Sequence, residues 1–99
     1  MKIAVASDDW MNVDRPLEKD GQFLILDVTG EKINFGGVRK LYHAENDVLR
    51  LLEDCKVVFC REGDIRVKEL LETKEKEVIE TRGFIPRVLY KYLEETWIT

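Results

Sequence analysis

The sequence predicts an α/β fold, a three-layer α/β/α sandwich on a five-stranded mixed sheet, and three observations carry that expectation. Apolar runs of strand type come early, at KIAVAS (2–7) and QFLILDV (22–28). From residue 43 onward, helical apolar periodicity alternates with short apolar strands, the pattern of parallel strands joined by right-handed crossovers. The chain has 99 residues, 44% of them apolar, which suits one core and one domain over 1–99.

Lys2 to Ser7 reads as a buried strand at the sheet centre. Asp8 to Gly21 reads as a polar, irregular loop, long for a compact domain and therefore expected to be the most mobile internal segment. Gln22 to Val28 is a second strand, antiparallel to the first. The Thr29-Gly30-Glu31-Lys32 turn joins it to a third strand over Lys32 to Lys40, with Gly36-Gly37 marking a bulge or an early end. Ala44, Val48, Leu51, Leu52 and Cys55 share one helical face, predicting a helix over residues 45–55. Val57 to Cys60 is a buried strand, expected beside the first strand and parallel to it. Asp64 suits the N-cap of a helix through Thr73, with Val67, Leu70 and Leu71 inward. Lys76 to Glu80 reads as an edge strand whose charges discourage further pairing. Gly83 opens a turn and Pro86 suits a first helical turn. Ile85, Val88, Leu89, Tyr92, Leu93 and Trp97 then mark the closing helix.

Charged residues make up 36% of the chain with a net charge of −4, so the surplus of cations that nucleic acid requires is missing and no nucleic-acid partner is expected. The densest basic stretch holds Arg82, Arg87 and Lys91 and reads as surface decoration. No apolar run reaches the roughly 18 residues of a membrane span. The apolar run after Met1-Lys2 is too short for a signal peptide, so a cytoplasmic protein with reduced Cys55 and Cys60 is expected. Along a strand those cysteines would stand about 16 Å apart, whereas a disulfide needs less than about 7 Å. Their odd spacing also sends them to opposite faces, which speaks against a shared metal ion as well.

Ligands of open α/β sheets sit beyond the carboxyl ends of the strands. That edge gathers Ser7, Asp8 and Asp9 after the first strand, and Cys60, Arg61, Glu62 and Gly63 after the fourth. Cys60 reads either as a thiolate ligand for iron or copper or as a small buried apolar group. His43, the one histidine, reads as an imidazole ligand or as an exposed or capping residue. Asp8, Asp9 and Asp14 could serve a Mg²⁺-dependent phosphoryl transfer, but capping and solvation explain them more cheaply. With no nucleophile arrangement and no phosphate-cradling glycine loop, an enzyme is not expected. Trp10 and Met11 in a polar loop suggest a partner surface.

In order and spacing, KIAVAS, Val13-Asp14, FLILDV, DCKVVFC (54–60), GDIRVKELLE (63–72) and GFIPRVLYKYLEE (83–95) resemble the dinitrogenase iron-molybdenum cofactor biosynthesis family, NifX-like domains among them. The resemblance implies a ribonuclease-H-like motif and a non-catalytic carrier of iron-sulfur or iron-molybdenum cluster precursors, with Cys60 as anchor and a partner protein to receive the cargo. The family signature V-D/N-x-H-F-G is broken here: Pro16 stands at the histidine position, and Leu17-Glu18 replaces Phe-Gly. Proline offers no side-chain donor to a metal. The resemblance therefore leaves two readings, a cluster carrier or an interaction module that no longer binds a cluster.

Overall fold

The structure is a computed structural model that describes residues 1–17, 21–30, 32–41 and 45–98, with the side chains of 41, 45–47 and 96–98 outside that description. The elements run β1 (Lys2–Ala6), β2 (Asn12–Val13), β3 (Gly21–Thr29), β4 (Lys32–Leu41), α1 (Glu45–Leu51), β5 (Cys55–Cys60), α2 (Ile65–Thr73), β6 (Glu77–Glu80), β7 (Gly83–Phe84) and α3 (Ile85–Ile98). Five strands form a mixed sheet in the order β4-β3-β1-β5-β6. β1 is central, antiparallel to β3 with Ala4 opposite Ile25, and parallel to β5 with Ala4 opposite Val58. β6 closes the sheet as a parallel edge. This is the expected arrangement.

Each face of the sheet carries its own apolar cluster. Ala4, Ala6, Ile25, Val58 and Cys60 pack with Val48 and Leu52 from the α1 region and with Val67 and Leu71 of α2. Ile3, Val5, Leu26, Val57 and Phe59 pack with Ile85, Leu89 and Leu93 of α3. The alternation of side chains along a strand produces this division, and helical spacing supplies the matching stripes.

Two strands break the alternation. In β4, Gly37 lies opposite Ile25 and Phe35 opposite Leu26, so Gly36 is the extra residue of a bulge. A Cβ at Gly36 would meet the Ile25 carbonyl oxygen at 3.1 Å, and Gly37 has φ +108°, so both positions suit glycine. The strand continues through the bulge rather than ending. In β5, Cys55 lies opposite Lys2 and Val57 opposite Ile3, which makes Lys56 a second extra residue. It reverses the parity of the strand and returns Cys55 to the face of Val58 and Cys60. The expectation that the two cysteines point to opposite faces is thereby corrected.

The segment read as an irregular loop also carries unexpected pairing. β2 pairs antiparallel with β7, Asn12 opposite Phe84 and Val13 opposite Gly83. Ile85 N–H donates to the Met11 carbonyl at 2.8 Å. Gly83 therefore begins a short strand and not a turn. α1 ends at Leu51, four residues before the expected limit, and the chain turns there into β5. Among the described residues, no helix is long and apolar enough to cross a membrane.

Candidate functional site

Because β1 and β5 are parallel neighbours, their carboxyl ends bring Ser7 close to Cys60 and Arg61. The segment from Asp14 to Leu17 lies across this edge and is bonded to both sides. Arg15 N–H donates to the Ala6 carbonyl, and Arg61 N–H to the Arg15 carbonyl at 2.8 Å. Leu17 N–H donates to Glu62 O at 2.7 Å, and Asp64 N–H to Leu17 O at 2.9 Å. Leu17 itself is fully buried, in the cluster that contains Ala6 and Cys60. Leu17 is thus seated at the carboxyl edge where open sheets take their ligands, at the position where the resembled family has phenylalanine.

The carboxylates of the edge are engaged locally. Asp9 Oδ1 accepts from the Met11 and Asn12 N–H groups, both at 2.8 Å, and Asp9 Oδ2 accepts from the Asn12 side-chain amide at 2.8 Å. These bonds, the Asn12 side chain first, lower the Asp9 carboxyl from 3.8 to about 2. Ser7, fully buried, donates to Asp9 Oδ1 at 3.2 Å and accepts from Trp10 N–H at 3.0 Å. Asp14 Oδ1 accepts from Asp8 N–H at 2.8 Å, while Asp8 pairs with Arg15 at 2.8 Å. Arg61 pairs with Glu62 at 3.0 Å and donates to the Asp14 carbonyl at 3.4 Å. Gly63 makes a parallel bridge with Leu17. Ser7, Asp8, Asp9, Asp14, Arg61 and Gly63 therefore belong to one hydrogen-bonded loop framework, in which the buried Arg61 Nε has no hydrogen-bond partner among the described residues. Among the described residues, no three His, Cys, Asp or Glu groups are placed to hold a metal ion.

The Cys60 thiol is fully buried, and burial, reinforced by the Glu80 charge, pushes it up from 9.0 to about 12. Burial, with the charge of Asp54, pushes the Cys55 thiol up to about 11. Thiolate is the form that binds metals, and both sites oppose its formation. His43, the other metal candidate, lies outside the described residues, and the side chain of Trp97 does too.

Trp10 and Met11 behave as expected of surface groups, being 38% and 57% exposed. Trp10 has φ +62°, in the left-handed region that is costly for a bulky residue. The bonds from Ser7 and Asp9 hold the backbone around it. In the pairing of β2 with β7, Phe84, 47% exposed, stands opposite Asn12, next in register to Met11. Phe84 was not legible as a neighbour of this segment, because the two-residue pairing that places it there leaves no periodic signal.

Fold and site together define an α/β chain whose carboxyl edge is crossed by its own segment from Asp14 to Leu17 and whose preceding loop exposes Trp10 and Met11. No protein-family model matches the sequence, and no curated protein does. The chain is similar to a solved structure described as the crystal structure of PH0822, with a TM-score of 0.78 and 22% identity over 96% of this chain and 92% of that one. At that identity the likeness concerns the fold alone.

Proposed function

We propose that this chain is a non-catalytic interaction module, a divergent relative of nitrogenase cofactor-biosynthesis domains, with their three-layer ribonuclease-H-like architecture and without cluster cargo. The observation that carries this reading is the exposure of Trp10 and Met11 on a hydrogen-bonded loop framework, with exposed Phe84 on the strand paired to that segment. Exposed aromatic and methionine side chains on a pre-ordered backbone are good binding anchors, since little conformational entropy remains to be lost on association. The left-handed Trp10 fits the same reading, because strain of order 1–3 kcal/mol persists only where surrounding bonds over-determine it. Cluster carriage needs an accessible thiolate, and the burial of Cys60 favours the interaction reading over it.

A photo-crosslinking amino acid placed at Met11 tests this in the cells that make the protein. A discrete adduct is expected from Met11, absent from the same probe at exposed Lys74 and lost when Trp10→Ser and Phe84→Ser are added. No adduct from Met11, or one indifferent to those substitutions, would overturn the proposal.

A further inference from the structure

The two faces of the sheet are covered unequally. Residues of the α1 region and α2 pack on one face, and α3 packs on the other. Beside α3, over the edge formed by β5 and β6, a groove of about 710 Å³ remains open, within the range of small-molecule sites. Phe59, Ile79, Val88 and Tyr92 give it an apolar floor and wall. Phe59 and Tyr92 meet edge to face at 5.5 Å, which fixes the aromatic side of the groove.

Its charges are unevenly satisfied. Glu80 is neutralised by Lys68 at 2.8 Å, and Glu77 accepts from the Tyr92 hydroxyl at 3.0 Å. Glu95, at the far end, also has a partner of its own. Arg82, Arg87 and Lys91 line the same groove, and none has a hydrogen-bond or ion-pair partner among the described residues. Arg87 and Lys91 stand one helical turn apart, so their side chains share a face of α3. The three cations that looked like surface decoration in sequence are brought by the fold to one apolar groove.

We propose that this groove is a binding site for a small amphipathic anion, a carboxylate or phosphate carried on an apolar body. The body lies against Ile79, Val88 and Tyr92, over the buried Phe59, and the anionic head is met by Arg87 and Lys91, with Arg82 just after the strand. An uncharged apolar molecule gains only the floor. Inorganic phosphate gains only the exposed cations, which are worth little without burial. Trp10, Met11 and Phe84 do not line this groove, and the proposal does not depend on the interaction reading.

The test is an amide NMR titration of the native chain with 8-anilinonaphthalene-1-sulfonate, an aromatic anion. Saturable shifts are expected at Ile79, Thr81, Val88 and Tyr92. Affinity is expected to fall by about five-fold or more in the exposed-site double variant Arg87→Glu/Lys91→Glu, and for the uncharged N-phenyl-1-naphthylamine. Because both substitutions are on the surface, an unchanged amide spectrum elsewhere confirms that the variant folds. Displacement of the dye by phenyl phosphate but not decanoate assigns an aromatic body, and the reverse an acyl one. Shifts centred on Trp10, Met11 and Phe84, equal affinity in the double variant, equal affinity for the uncharged dye, or displacement by neither competitor would overturn the proposal.

Discussion

Asp9 gathers two backbone N–H groups and the Asn12 amide onto one carboxylate, and that arrangement makes the loop sensitive to acid. Its carboxyl is lowered in the folded chain, so its contribution is fully present above the ordinary value of 3.8 and is lost as pH falls through about 2. The melting temperature of the wild-type chain should therefore exceed that of Asp9→Asn at neutral pH, and the two should converge as pH drops across that window. A gap that stays constant down to pH 2 would mean that the carboxylate charge does not hold the loop. The sequence showed Asp8, Asp9 and Asp14 clustered in one polar loop, and it favoured capping over metal binding. It could not show which N–H groups each would meet, because that depends on the turn made by Trp10 at positive φ. Cys60 was legible as a core or ligand candidate at a strand end. Its burial follows from Leu17, a residue that no periodicity marks.

At the scale of elements, local chemistry was read well and irregularity poorly. Asp64 caps α2 as expected, its carboxylate accepting from Arg66 N–H at 2.9 Å. The other end of α2 closes with Glu75 at φ +62°, its N–H donating to Glu72 O at 3.0 Å, while Lys76 N–H reaches Leu71 O at 3.2 Å. That pattern ordinarily carries glycine at the left-handed position. Asp64→Ala should cost about 1 kcal/mol, and Glu75→Gly should add about 0.5–1 kcal/mol by relieving the left-handed strain. Urea denaturation midpoints of the two variants check both signs. A stability loss in Glu75→Gly would show that the Glu75 side chain stabilises the turn more than its backbone strains it. The Gly36 bulge was readable from its glycine pair. The Lys56 bulge was not, since lysine carries no bulge signal and only the register against β1 reveals it. One extra residue there decides which face receives Cys55.

The whole molecule combines a legible sheet with an illegible closure. The central place of β1 between β3 and β5 and the edge place of β6 follow from apolar runs, one hairpin, the crossover rule and the family resemblance. The β2–β7 pairing and the seating of Leu17 join segments far apart in the chain, and such tertiary choices leave little trace in local sequence. They seat Leu17 at the carboxyl edge and set Phe84 against β2. In the proposed role this edge presents a partner surface and does not hold a metal cluster. Anaerobic incubation of the native chain with iron and sulfide, followed by visible absorbance, tests it most directly. The expected result is no cluster absorbance, with Cys60 inert to a thiol reagent until denaturant unfolds the chain. A cluster spectrum in the native protein that disappears in Cys60→Ala would contradict the claim.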